Sequence, residues 1–330
     1  MNLITKIGKF ISKQIIDIKT YGLHELFRKF NLLIKIFVKI PINLIAFFPC
    51  MIIRLISPWI LIRIAKAPSV NFGSFAADLA LYSCKKKLKI DQPIKKYLDL
   101  FYIDPNHKHY NKQLAKMWKR KLTFLSGHLL DPINRVGRFF PGWENNTIGL
   151  FTDKIERDVD NLIGKYNPLN FNAEEEAYGK NMLKKFGLKD NDKFVCLAVR
   201  DSAYQLKKIS ARHHDWSYHD YRNYDIGNFV LAAEELTRRG YFVFRMGVVV
   251  NKSINLKNKK IIDYANSNLR SDFMDVYLGA KCSFCISTGL GFDEVPYIFR
   301  RPIALIGPIG ELTPYRAFNE KFLFLEWVLW

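Results

Sequence analysis

From residue 60 onward, short apolar runs alternate with segments of helical period, and that alternation predicts a parallel α/β architecture. Ile60-Leu-Ile-Arg-Ile-Ala65 has the length and composition of a strand. Lys66 to Gly73 predicts a loop, and Ser74 opens an apolar-periodic helix through Phe75, Leu79, Leu81 and Tyr82. Tyr97 to Ile103 predicts the next strand and Asn111 to Arg120 a helix with a basic face. Asp131 to Gly142 interleaves Pro, Gly and Arg and predicts a loop. Ala173 to Phe186 predicts a helix, with Asn172 as its cap, Glu174 to Glu176 at its positive end and Gly187 as its stop. The polar turn that follows, Lys189 to Lys193, marks a domain boundary.

The pattern beyond that boundary is clearer. Phe194-Val-Cys-Leu-Ala-Val199 is a continuous apolar run, as a strand buried on both faces requires. Tyr224 to Arg239 predicts a helix closed by Gly240, and Tyr241 to Phe244 a second strand. Lys260 to Tyr264 predicts a third strand, Ser271 to Leu278 a helix capped by Ser271, and Lys281 to Ile286 a fourth strand. A short helix reaching Phe299 and a strand over Ile303 to Ile306 complete the alternation. The expectation is two doubly wound, Rossmann-like domains over 59–188 and 189–330, preceded by a basic, amphipathic and apolar segment over 1–58.

That first segment has its own periodicity. Leu3, Ile4, Ile7, Phe10, Ile11, Ile15 and Ile18 recur at helical spacing with Lys between them, predicting an amphipathic helix within residues 3–40. No compact apolar core precedes a small-residue cleavage site, so no cleavable signal is expected. The densest apolar run, Pro41 to Ile53, ends at Arg54. Extended to Ile62 it is long enough to span a bilayer, but it then holds Pro41, Pro49, Pro58 and a charge. In-plane attachment is the first expectation and a single span the second.

Charge sharpens this picture. The 330 residues carry a formal net charge of +20. Residues 1–66 hold eleven Lys or Arg against Asp17 and Glu25, a net +9 from an apolar stretch, which is the pattern of a segment lying on an anionic membrane surface. A cytoplasmic protein, peripheral on the inner face of the cytoplasmic membrane, is expected. No zinc-finger spacing, RNA-recognition aromatic motif or basic zipper is present, so nucleic acid is not the expected partner. The five cysteines are odd in number and scattered, which suits a reducing compartment better than a disulfide framework. Cys282 and Cys285 form a CxxC, but within a predicted strand they point to opposite faces, so both are expected in or near the core rather than on a metal.

Ligands of doubly wound sheets bind outside the carboxyl ends of the strands. Three predicted strand ends carry distinctive groups: Arg200-Asp201, Arg245-Met246-Gly247 and Ser287-Thr288-Gly289. Two guanidiniums and a glycine-flanked hydroxyl loop opening a helix suit a pyrophosphate, through bidentate bonds and unpaired N–H groups. No GxGxxG follows the first strand of this domain and no GxxxxGK[ST] occurs, which disfavours a nicotinamide enzyme and a P-loop nucleotidase. On the same side of the sheet, Trp216 to Asp225 concentrates titratable groups. His219 and Asp220, with Asp201, are the candidates for general-base chemistry, and Arg222 for a further phosphate contact.

The blocks Arg200-Asp-Ser-Ala-Tyr204, His219-Asp-Tyr-Arg-Asn223, Arg239-Gly-Tyr241 and Arg245-Met-Gly247 resemble those of a bacterial family of glycosyltransferases. So do Asp263-Tyr-Ala265, Arg270 to Asp275 and Ser287-Thr-Gly-Leu-Gly-Phe-Asp293. The match is dense over the second domain and looser before it, where Asn71-Phe-Gly73 stands at the family's usual Arg-Ile-Gly-His and keeps only the glycine. The resemblance implies a two-domain GT-B type fold, with the acceptor near Gly73 and a nucleotide-sugar donor on the second domain. It implies transfer of a hexosyl or related group to a cell-surface glycan or lipid-linked acceptor. Neither metal nor cofactor is implied, because positive side chains stabilise the departing diphosphate. It places the donor among Arg200, Arg222, Asn223, Arg245, Gly247, Ser287, Thr288, Gly289, Gly291 and Asp293. The family continues further past Ile306 than this chain does, so the last strand and crossing helix are expected to be missing. The alternative is therefore a shortened, non-catalytic homologue acting as a membrane-associated binding protein.

Overall fold

The computed structural model describes residues 37–107, 109–150, 160–204, 217–254, 256–307 and 322–325, together with Asp158 and a few positions between 22 and 34. Most of the amphipathic helix predicted over 3–40, and most of the aromatic tail after Gly310, lie outside the described residues. The protein is a mixed α/β structure built on two parallel sheets.

The larger sheet contains β3 (Phe194–Ala198), β4 (Phe242–Arg245), β5 (Ile261–Ile262), β6 (Phe284–Ser287), β7 (Ile303–Ile306) and β8 (Phe322–Leu325). Their spatial order is β5-β4-β3-β6-β7-β8, with every neighbouring pair parallel. Chain order therefore reverses at the β3–β6 junction, the switch point at which doubly wound sheets open a crevice. Both faces are covered, as the apolar run of β3 requires: Phe194, Cys196 and Ala198 join one core, Leu197 and Val199 the other. A further strand follows the one predicted at Ile303 to Ile306, since Phe322–Leu325 pairs with β7 in register from Ile303↔Phe322 to Ile306↔Leu325.

The first half departs further from expectation. β1 (Leu61–Lys66) and β2 (Tyr97–Tyr102) form a two-stranded parallel sheet, extended only by single bridges at Thr147 and Phe124. The segments that carry those bridges are too short for ladders, so no Rossmann-like sheet forms here among the described residues. Helices supply the covering layers. α1 (Phe37–Ile56) and α4 (Gly127–Gly137) share a core with Ile64, Leu100 and Tyr102 on one face. α2 (Phe72–Leu88) and α3 (Lys112–Lys119) cover the other, where they join the main core that continues into the larger sheet. α4 occupies much of the predicted loop. Leu130, Ile133 and Val136 recur at helical spacing and are buried, and Pro132 is tolerated inside the helix.

Later elements are α5 (Leu162–Lys165), α6 (Ala173–Lys185), α7 (Val230–Arg238), α8 (Asp272–Lys281) and α9 (Glu294–Ile298). The helix expected from Tyr224 begins instead as a 3-10 turn, Ile226–Phe229, capped by Asp225. The expected third strand shrinks to two residues before a 3-10 turn at Tyr264–Asn266. α8 runs through Lys281, so Cys282 caps a helix and is not in a strand; strand alternation does not apply to it, yet both cysteines are buried.

α6 shows how a local signal becomes a tertiary bond. Asn172 accepts from the Glu175 N–H and the Glu175 carboxylate accepts from the Asn172 N–H, the predicted cap completed as a capping box. Glu175, 5% exposed, also accepts from Gln113 and from both terminal nitrogens of Arg120, tying α6 to α3. Burial alone would raise its carboxyl, but bonds from Arg120, Gln113 and the Asn172 N–H hold it at about 2, against an ordinary 4.5. A depressed carboxyl contributes stability above its unfolded value that is lost as pH falls through the folded value. Glu175→Gln is therefore expected to cost on the order of 3 kcal/mol at pH 7. The loss should shrink between pH 4.5 and 2, as denaturant melts across that range will read.

Candidate functional site

The switch point is closed by backbone and hydroxyl bonds. The Arg200 N–H donates to Thr288 Oγ1 at 2.8 Å and the Arg200 carbonyl accepts from the Tyr224 N–H at 2.9 Å. Arg200, two residues beyond β3, is thus held from both sides, by the loop after β6 and by the segment after the Ser217–Arg222 turn. The side chain is not so held. Arg200 Nε and Nη2 are buried and have no hydrogen-bond partner among the described residues. Burial, and then the neighbouring Arg222 guanidinium, draw the pKa of Arg200 below its ordinary value. Arg222 comes from the 3-10 turn and donates to the Gly289 carbonyl at 3.0 Å. Two guanidiniums therefore sit together at the carboxyl ends of β3 and β6.

The other predicted donor residues have different partners. Arg245 is 1% exposed, donates to the Lys252 carbonyl at 3.0 Å and pairs with Asp263 at 3.3 Å, with Asp201 at 3.9 Å. It organises the loop after β4, and its buried Nε has no hydrogen-bond partner among the described residues. Asp201 accepts from the Ala203 and Asn251 N–H groups, one to each oxygen, and so ties the end of β3 to the same loop. Gly247 lies at the start of that loop, where a Cβ would come within 2.6 Å of Val250.

The Ser287 to Asp293 loop spends its polar groups on itself. Ser287 Oγ donates to the buried Asp293 and accepts from the Gly289 N–H, while Thr288 Oγ1 serves Arg200. Gly289 adopts φ +80°, which a side chain would disfavour. The short helix α9 begins with two buried acidic residues, Asp293 and Glu294, at the end expected to receive phosphate. Gly73 lies in the first turn of α2, not in an open loop, and packs on the second half of the chain. A Cβ there would lie 2.8 Å from Gly291 Cα, and one on Gly291 would lie 3.1 Å from the Gly73 nitrogen.

Within the predicted base segment, Asp220 is exposed and accepts from Asn223 Nδ2 at 2.9 Å. That bond uses one of the two amide N–H donors, and Asn223 Oδ1 is buried without a partner among the described residues, an acceptor suited to a hydroxyl rather than to a phosphate. The His219 side chain lies outside the described residues. Two roles escaped sequence reasoning: that of Asp263, whose pairing with Arg245 needs the fold, and that of Gly307, where a Cβ would collide with Tyr224 Oη.

No protein-family model matches this sequence, and no curated protein matches it. Among solved structures, the chain is similar to a glycosyl transferase family 9 protein from Veillonella parvula. Identity is 13%, with 81% of this chain and 86% of that one covered at a TM-score of 0.49. It is similar to E. coli ADP-heptose LPS heptosyltransferase II at 13% identity, covering 80% and 90% of the chains at a TM-score of 0.49. An E. coli heptosyltransferase with ADP aligns at 8% identity over 80% and 93%, with a TM-score of 0.37.

The contrast between the two arginines has a measurable consequence. Replacing Arg245 by Met strands Asp263 and Asp201 without their cation, and denaturant unfolding should report a loss of about 3–5 kcal/mol. Replacing Arg200 by Met removes a guanidinium that lacks bonds on two nitrogens and should leave stability unchanged or raise it. Equal losses in the two variants would contradict these assignments.

Proposed function

We propose that this chain is a glycosyltransferase that takes a sugar from a nucleotide-sugar donor, with the donor diphosphate against Arg200 and Arg222. The observation that carries this reading is the Arg200 side chain, whose Nε and Nη2 are buried without partners among the described residues, beside a second guanidinium at the switch point. A buried donor without a partner costs roughly 1–3 kcal/mol. Phosphate oxygens would satisfy both nitrogens and offset the repulsion between the two cations. The reaction class comes from the resemblance of the surrounding blocks to glycosyltransferases. So does the proposed division into an acceptor part over 59–188 and a donor part over 189–330, the GT-B type layout.

In the reaction, the bond from the anomeric carbon to the diphosphate oxygen breaks and its electron pair stays on the diphosphate. The acceptor hydroxyl oxygen forms the new bond to that carbon and gives up its proton. Arg200 and Arg222 stabilise the charge that develops on the leaving group, a task that needs no metal. Asp220, exposed beside Arg222 in sequence, and His219 are the proposed proton acceptors. Asn223 Oδ1 is proposed to accept from a donor hydroxyl. A cell-surface glycan or a lipid-linked sugar is the proposed acceptor class.

UDP, GDP and ADP, screened in thermal unfolding, test the site directly. At least one is expected to stabilise the protein by about 2–3 kcal/mol at a hundredfold excess over its Kd. Arg200→Met should abolish that shift while retaining the native circular dichroism spectrum. The reading fails if no nucleotide protects the wild-type protein, or if the variant is protected equally.

A further inference from the structure

α1 carries its polarity the wrong way round for a helix on a water-facing surface. Its buried positions, Ala46, Cys50 and Ile53, form one narrow stripe in the core shared with β1, β2 and α4. Projected at about 100° per residue, Lys39 and Arg54, the charged residues of Phe37–Ile56, fall on the side of that stripe. The outward arc is apolar throughout: Leu44 and Phe48 are each 72% exposed, and Phe37 and Leu55 continue the row along the helix. Trp59, 75% exposed, stands just beyond its end. A water-facing helix places charge outward, and an uninterrupted apolar face of this length marks a surface that another phase or partner covers.

Charge selects the occupant. The stretch leading into and through α1, residues 1–56, holds nine Lys or Arg against Asp17 and Glu25, a net +7, which complements an anionic phospholipid surface, and an exposed Trp is at home at the headgroup level. Length alone would permit a span, because Phe37–Ile56 is twenty predominantly apolar residues, which match the thickness of a bilayer core. The packing does not. Cys50 Sγ donates to the Ile133 carbonyl at 3.2 Å, and the Phe47 and Phe140 rings lie 5.2 Å apart. These ties hold the middle and second half of α1 onto α4 and the segment after it, so a spanning α1 would have to abandon that core or draw it into lipid. We propose that α1 lies in the plane of an anionic phospholipid bilayer, with its outward arc in the acyl region and its inward stripe still docked on the protein. The inference is independent of the reading of the Arg200 site.

Sedimentation with phosphatidylcholine vesicles, with and without phosphatidylglycerol, tests it on the full chain. Binding is expected to the anionic vesicles, and the double variant Leu44→Glu, Phe48→Glu should weaken it by about tenfold or more while melting as the wild type does. The native cysteines are all buried, so a cysteine introduced at Phe37, Phe48 or Leu55 can be labelled selectively with a fluorophore whose quenching reports depth. In-plane docking predicts similar shallow depths at all three. A deep Phe48 flanked by shallow ends would establish a span and overturn the proposal. It is also overturned if the wild type binds no vesicle, including the case in which α1 instead mediates self-association.

Discussion

The close approach of Gly73 to Gly291 is the constraint on which the rest depends. Where a Cβ on Gly73 would stand 2.8 Å from Gly291 Cα, the starts of α2 and α9 come together, and the loop between β6 and α9 is pinned from below. With that loop fixed, Thr288 reaches the Arg200 N–H and Gly289 offers its carbonyl to Arg222. The two halves are joined again where Asn111 and Lys112 at the start of α3 bond to Asp272 of α8, and where Lys281 pairs with Glu176. One continuous apolar core runs beneath all of these contacts.

Within this frame the arginines divide the work. Arg245 has its charge met by carboxylates and one terminal nitrogen on a backbone carbonyl, with Nε alone left without a partner among the described residues, so it rigidifies the loop after β4. Arg200 has its backbone fixed on both sides and two side-chain nitrogens left without bonds. A side chain anchored by its backbone but unsatisfied at its charged end suits an anion, which is the basis of the proposed donor site.

Much of this was legible in the sequence because it rests on local signals. The double-sided burial of β3 shows in an unbroken apolar run, the cap of α6 in Asn172 and Glu175, and the strand ends in the residues that follow each run. What was not legible depends on distant partners. Nothing near Arg245 announces Asp263 as its counterion, and nothing near Thr288 announces that its hydroxyl will serve Arg200 rather than a ligand. The glycines at 73 and 291 carry loop signals separately, but their meaning is a contact between them. α4 was hidden because Pro and Gly weigh heavily in a local reading, whereas the burial of Leu130, Ile133 and Val136 decides the outcome. The short ladders of the first sheet reflect the same limit: β1 and β2 are visible as runs, while single-residue bridges leave no pattern to find.

The most direct measurement of the central claim is a crystal structure of the protein with a nucleoside diphosphate bound. The account predicts the diphosphate within hydrogen-bond distance of Arg200 Nε and Nη2, with Arg222 turned toward it and Arg245 still on Asp263. A diphosphate bound away from Arg200, or one that draws Arg245 out of its carboxylates, would contradict it.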